Sequence, residues 1–146
     1  MAIRLSTGAR NAMLDATGLA AGLEVAQINI YTGSQPTDAD TAASGTLLAS
    51  ITVDGGATGV TFDAAASGVL SKAAAETWQG TAAASGTAGW FRLFLKTDSP
   101  SGASTTLVRV DGSVAVSGGD LNISNTSITS GAVQTITEFD ITMPAS

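Results

Sequence analysis

Gly86-Thr-Ala-Gly-Trp-Phe-Arg-Leu-Phe-Leu-Lys-Thr97 decides how the rest of this chain is laid out. Five of its twelve residues are large and apolar, in a sequence otherwise rich in Ala, Gly, Ser and Thr. Side chains alternate across a strand, so Phe91, Leu93 and Leu95 share one face while Trp90, Arg92, Phe94 and Lys96 share the other. A strand with large apolar groups on both faces belongs inside a sheet, and the remaining elements should be arranged around it.

Upstream, Ala26-Gln-Ile-Asn-Ile-Tyr-Thr alternates as a half-buried strand. Residues 46–53 predict a second strand with Leu47, Ala49, Ile51 and Val53 on one face, and Asp54-Gly55-Gly56 a turn. Val60, Phe62 and Ala64 predict a third strand; Ser67-Gly68 is a tight turn into a fourth over 69–72. Residues 73–85 read either as one helical turn or as more strand with Trp78 inward; Gly80 and Gly86 favour strand. Downstream, Asp98-Ser-Pro-Ser-Gly turns the chain back into a strand over 105–111, a hairpin with a loop of five to seven residues. Val114 and Val116 are a separate short strand or a continuation past a bulge at Gly112. Leu121 and Ile123 begin another strand, and Ile128 anchors a polar stretch. Residues 133–143 predict one last strand, with Val133, Thr135, Thr137, Phe139, Ile141 and Met143 facing one way.

The N-terminus reads differently. Leu5-Ser-Thr-Gly-Ala-Arg-Asn-Ala-Met-Leu-Asp-Ala predicts a short helix capped by Ser6 or Thr7, with Ala9, Ala12, Met13 and Ala16 on one narrow stripe. It either closes one end of a β domain or belongs to an arm over 1–22 that orders against a neighbouring subunit. Eight to ten strands at roughly ten-residue spacing, with Gly, Asp and Ser turns, indicate an all-β fold. The expectation is one domain over 1–146: an antiparallel β-sandwich or jelly roll with one short N-terminal helix.

Composition narrows the function. The chain has 146 residues, enough for a real core, but much of its apolar content is Ala. Twelve acids against six bases give a net charge of -6, which argues against nucleic acid as partner, because phosphate must be neutralised by Lys and Arg. Charged residues are 12%, about half the usual share, so the surface is mostly small and neutral, as on a chain covered by partners. No apolar run has the length of a membrane span, and no signal-peptide core is evident; the expectation is a cytoplasmic product unless it leaves within a particle. Cysteine and histidine are both absent, which removes disulfides, thiol nucleophiles, the commonest general base and the commonest metal ligand.

The other candidates for chemistry are weak. The acid pairs Asp38/Asp40 and Glu138/Asp140 do not follow a calcium-loop pattern and read as solvent-face charge. Asp54, Asp63, Asp98, Asp111 and Asp120 read as turn residues bonded to their own backbone. A Ser–Lys pair would need Lys72 or Lys96, and nothing marks either as buried. The glycine runs do not follow the strand–loop–helix plan of phosphate sites. Tyr31, Trp78 and Trp90 are scattered as core or interface anchors are, although aromatics can also line a sugar site. The expectation is therefore no catalytic residue, no metal and no cofactor.

Several segments together resemble a known group. They are Ala2-Ile-Arg-Leu-Ser-Thr-Gly-Ala-Arg-Asn-Ala-Met-Leu-Asp-Ala, Ile30-Tyr-Thr-Gly-Ser-Gln-Pro-Thr-Asp-Ala-Asp, Gly45-Thr-Leu-Leu-Ala, Gly86-Thr-Ala-Gly-Trp-Phe-Arg-Leu, Asp111-Gly-Ser-Val and Gly119-Asp-Leu-Asn-Ile-Ser-Asn-Thr-Ser-Ile. Across nearly the full length the chain resembles small virion proteins of tailed bacteriophages. Phe94-Leu95-Lys96 and an insertion at Ser99-Pro100-Ser101-Gly102 depart from the pattern. The resemblance implies a non-enzymatic particle component: a capsid cement or decoration protein on the capsid surface, made in the host cytoplasm. Its partners would be the major capsid protein and copies of itself as a dimer or trimer, with neither nucleic acid nor membrane. Two alternatives stay open: a tail, head–tail joining or fibre-associated part, and a carbohydrate-binding β-sandwich module. No catalytic residues come with the group. Attachment is expected from the N-terminal segment and the thirteen-residue loop over 33–45, through Arg4, Leu5, Arg10 and Met13 together with Gln35, Pro36 and Asp38. Arg4 and Arg10 are the only basic residues in the first seventy, and Arg is enriched at protein contacts because its planar fork pairs with carboxylates.

Overall fold

The stretch that carries large apolar groups on both faces is the longest strand and lies inside the main sheet. The computed structural model describes residues 3–14 and 18–143. In chain order the elements are β1 (Arg4–Leu5), α1 (Thr7–Leu14), α2 (Gly18–Gly22), β2 (Ala26–Thr32), β3 (Leu47–Val53), β4 (Val69–Ser71), β5 (Trp78–Thr81), β6 (Gly86–Leu95), β7 (Arg109–Ala115), β8 (Leu121–Asn122), β9 (Ser127–Ile128), β10 (Val133–Ile136) and β11 (Asp140–Thr142). The main sheet runs β1-β7-β6-β2-β3-β5-β10, with β8 alongside β7 and β9 alongside β6; β4 and β11 form a separate two-stranded sheet. Every pairing is antiparallel except β7 with β8.

The fold is an all-β sandwich. One face of β6 turns Phe91 and Leu93 into a core shared with Ile28 and Ile30 of β2, Ile51 of β3 and Val110 of β7. The small sheet closes that core from the other side. Phe139, just before β11, meets the ring of Phe91 edge-on at 5.4 Å and that of Trp78 at 6.1 Å. Phe62 meets Trp78 edge-on at 5.3 Å, so the layers join through a cluster of aromatic rings in the arrangement their quadrupoles favour. The other face of β6 is buried too. Trp90 stacks on Tyr31 at 4.6 Å, and Arg92 on the same face donates to the Pro100 carbonyl of the loop after β6 at 3.0 Å. All of this burial comes from the chain itself: Trp90, Phe91 and Leu93 are fully inaccessible without any neighbouring subunit.

Several local expectations are corrected. β2 is buried on both faces: Ile28 and Ile30 enter the core, while Asn29 and Tyr31 are covered on the other side, where Trp90 stacks on Tyr31. In β3 the register shifts opposite Ile30/Tyr31, so that Leu48 as well as Ala49 turns inward while Leu47 is exposed; such a bulge breaks the period-two pattern. Val60 and Phe62 make isolated bridges to Ala26 and Lys72 and form no strand. The β6–β7 connection takes thirteen residues, 96–108, not five to seven. β7 continues through Gly112 with no bulge: Trp90, Phe91 and Arg92 pair in regular register with Ser113, Gly112 and Asp111. Glycine stands there because a Cβ would lie 2.7 Å from the Phe91 ring and 2.9 Å from Cβ of Asp120.

The last strand is broken in two. β10 pairs with β5 and β11 with β4, and the bend at 137–139 reverses the facing, so Ile136, Phe139 and Ile141 are all buried while Val133 and Met143 are exposed. The expected turn at Ser67-Gly68 is present, with both residues at left-handed φ (54° and 78°), the conformation of a two-residue hairpin turn. Residues 73–85 resolve into a short turn at 73–76 and then β5, with Trp78 fully buried.

The N-terminal segment is part of the domain. β1 pairs with β7, Arg4 opposite Asp111 and Leu5 opposite Val110. Two short helices follow, α1 and α2, where one was expected. Ala9 of the predicted stripe is fully buried and Met13 half-buried; Ala16 and the side chain of Ala12 lie outside the described residues.

Candidate functional site

The N-terminal segment and the 33–45 loop meet on one surface, and the chemistry of Ser6 explains how. Its Oγ donates to the Leu107 carbonyl (2.9 Å) and accepts from the N–H groups of Ala9 and Arg109 (both 3.0 Å). The bond from Ala9 caps α1 at the position where Ser is favoured, and the other two fix the helix to the approach of β7. Gly8 lets the helix come close: a Cβ there would sit 2.4 Å from the Leu107 carbonyl oxygen. Asp40, from the loop, then accepts from the Thr7 N–H (2.7 Å) and hydroxyl (2.5 Å) at the start of α1, where the unpaired N–H groups favour a carboxylate. Arg4 reaches across and donates to the Thr37 carbonyl at 2.6 Å.

The seven expected attachment residues are thereby sorted. Arg4 and Asp38 are exposed, and Pro36 is half-exposed. Asp38 accepts from the N–H (2.9 Å) and hydroxyl (2.8 Å) of Thr41, and those bonds hold its carboxyl below the usual carboxylate range. Leu5 packs against the core, and Gln35 is buried. Met13 lies in an apolar cleft. Arg10 is on α1, with its side chain outside the described residues.

The strongest electrostatic feature was not legible as such. Arg92 and Asp111 are cross-strand partners on β6 and β7, and their side chains form a two-handed ion pair, Nε to Oδ1 and Nη2 to Oδ2, both at 2.7 Å and with no exposure on either side. Arg109 pairs the same way with Asp98, at 2.7 and 2.8 Å. The remaining donors hold the 96–108 loop by its backbone: Arg92 to the Pro100 carbonyl (3.0 Å), Arg109 to those of Gly102 (2.8 Å) and Ser99 (3.3 Å). Planar guanidinium groups suit this, since one fork engages a carboxylate and leaves donors over. Burial penalises the Asp111 carboxylate, and the Arg92 bonds and charge oppose that penalty. Asp98 and Asp111 are thus ion-pair partners, not simple turn residues. The available signal was Arg92 placed between Trp90 and Phe94 on one strand face, a cation where burial was already expected.

The other candidates resolve as structural groups. Glu76 accepts from the Thr61 N–H (3.0 Å), the Thr61 hydroxyl (2.6 Å) and the Trp78 indole (2.7 Å). Burial raises its pKa, but these bonds and the charge of Lys72 outweigh it and hold the carboxyl below its ordinary value. Lys72 donates to the carbonyls of Ala73 and Glu76, and Lys96 to that of Ala57. Asp120 accepts from the N–H and hydroxyl of Ser113, both at 2.8 Å. Trp78, Trp90 and Tyr31 are core, with none exposed as a sugar platform would be. Among the described residues, no cluster of three or more acidic side chains is gathered as metal ligands would be, and no helix is long and apolar enough to cross a membrane.

Clefts open on the surface among the described residues, one apolar and two polar of them bearing on the candidates above. The apolar one, about 300 Å³, is lined by Met13, Leu19, Val69, Leu70, Ile141 and Met143. Two polar notches of about 390 and 320 Å³ flank Phe139; both include Glu138 and Asp140, the first with Lys72 and the second with Asp120 and Asn122. Comparison with protein-family models, with curated proteins and with solved structures finds no match to this chain.

Proposed function

We propose that this chain is a non-enzymatic structural subunit of a tailed-bacteriophage particle, a capsid cement or decoration protein that binds the major capsid protein lattice, itself as a dimer or trimer. The observation that carries the attachment half of this reading is the composite surface at the N-terminus. Segments some thirty residues apart are joined there by Arg4 to Thr37 and by Asp40 to Thr7, which brings Arg4 to the backbone between a half-exposed Pro36 and an exposed Asp38. A preformed surface binds without an ordering cost, which suits a protein that must hold a shell by area and a few charged anchors. The capsid half rests on the resemblance of the quoted segments to small phage virion proteins. Those segments build β1, α1, β6 and the loop that caps α1, so what resembles the group is the framework as well as the surface.

The test is loading of the purified chain onto particles that lack it, scored by occupancy at graded salt. Arg4→Glu is the better variant than removal of residues 1–10, because the latter also deletes β1, Ser6 and the start of α1. Arg4→Glu should fold like the parent, lose occupancy, and lose most at low salt, where exposed charges act furthest. Unchanged loading by a folded Arg4→Glu chain would place the contact elsewhere. No loading by the parent would remove the capsid reading.

A further inference from the structure

β11 is bonded on one side only. On the inner side the Lys72 N–H donates to the Phe139 carbonyl (2.8 Å) and the Met143 N–H to that of Gly68 (2.9 Å), with Ile141 opposite Leu70. In an antiparallel ladder the next residues along turn their backbone groups the other way. The N–H and C=O of Asp140 and Thr142 therefore point outward, both residues are exposed, and no described strand pairs with that side. Exposed edges are commonly blunted by lysine, proline or a bulge. Residues 137–143, Thr-Glu-Phe-Asp-Ile-Thr-Met, hold no lysine, and β11 pairs with β4 without a register shift; Glu138 and Asp140 give this three-residue edge acidic charge, and Pro144 stands just beyond it.

The surroundings of this edge are asymmetric. At its start stand Glu138 and Asp140, both exposed, neither accepting a hydrogen bond from a described residue, with Asp120 across the adjoining notch. The nearby cation, Lys72, is engaged by two backbone carbonyls. At the far end lies the apolar cleft, where Ile141 and Met143 meet Met13 and Leu19. We propose that the outer edge of β11 is a docking site for an extended segment of a partner protein. The segment adds as a strand against Asp140 and Thr142, sets Lys or Arg beside Glu138 and Asp140, and seats a large apolar side chain in the cleft. A second copy of this chain fits less well. Its net charge is -6, and two β11 edges paired together would bring both acid pairs onto one seam. The inference concerns the chain's own edge and does not require the partner to be a capsid subunit.

Amide hydrogen exchange on the full chain tests it, with capped peptides of alternating Lys and Leu, or alternating Glu and Leu, as probes. In the free chain the Asp140 and Thr142 amides should exchange fast, and the Lys/Leu peptide should protect both while the Glu/Leu peptide does not. Thr142→Pro removes an outward N–H at a position where an edge strand tolerates proline. It should bind the Lys/Leu peptide about tenfold more weakly, the loss of roughly one backbone hydrogen bond. Glu138→Lys with Asp140→Lys should reverse the peptide preference and decides the matter if the proline variant does not fold. Protection of both amides in the free chain, rising with its concentration, would give the edge to a second copy and overturn the proposal. Peptide binding that leaves these amides unprotected, or equal affinity in a folded Thr142→Pro chain, would also overturn it. Peptide binding without particle loading would leave this site standing and remove only the capsid reading.

Discussion

Asp111→Asn is the most informative single change. The substitution keeps the side chain's shape and removes its charge, so the fully buried Arg92 guanidinium keeps a neutral partner and the Pro100 carbonyl. One of the two bonds at 2.7 Å is replaced by an amide NH₂ facing a guanidinium NH₂, donor against donor. Breaking a buried pair from one side costs about 3–5 kcal/mol, because the surviving charge stays desolvated. Against a total stability of roughly 5–15 kcal/mol this is a large share. At about 2–4 °C per kcal/mol for a chain near this size, the melting midpoint should fall by roughly 6–20 °C. The control removes both charges, as Arg92→Met with Asp111→Leu. Replacing a buried pair by apolar groups is often neutral or better, but here it strands the Pro100 carbonyl, a penalty of about 1–3 kcal/mol. The double variant should therefore be more stable than Asp111→Asn by about 2 kcal/mol at the middle of these ranges, while amides in the 96–108 loop exchange faster than in the parent. Urea unfolding with an unchanged denaturant slope measures all three chains. An Asp111→Asn chain within about 1 kcal/mol of the parent would mean that water reaches the pair, and the account of the loop as a sealed cover would fail. A double variant no better than the single would show that the lost energy is not that of an uncompensated charge.

Gly112→Ala places a methyl 2.7 Å from the Phe91 ring and should destabilise by about 1–3 kcal/mol in the same unfolding assay; no measurable loss would mean the ring can move aside. Glu76→Gln tests linkage: a carboxyl held below its unfolded value adds stability that is present above the ordinary Glu pKa and lost as pH falls through the native value. The parent should exceed the variant by a constant margin above about pH 5 and lose that margin on acidification, whereas a margin independent of pH would remove Glu76 as the acid-sensitive group.

Local pattern carried much of the architecture. The two-faced apolar run of 86–97 identified the central strand because burial on both sides calls for large apolar groups on both faces, and that is visible without knowing the neighbours. Ser6 as cap, Ser67-Gly68 as turn and the inward Trp78 were legible for the same reason: each depends on a few adjacent residues. Tertiary structure decided what depended on partners far along the chain. Leu48 turns inward because β3 takes a bulge against β2, and residues 133–143 split because their two halves pair with different strands, so period-two reading failed at both places. On the second face of β6 Arg92 holds the 96–108 loop at Pro100; Asp111 became its ion-pair partner only when β7 came back in register beside β6, and Asp98 that of Arg109 only when the loop folded. The attachment surface divides similarly. The exposed Arg4 and Asp38 could be nominated from residue type, but Leu5 packs on the core because β1 pairs with β7, and Gln35 is buried in the loop that Asp40 ties to α1. The open edge of β11 was invisible in sequence, since which side of a strand is left unpaired is fixed only by the strand that takes the other side.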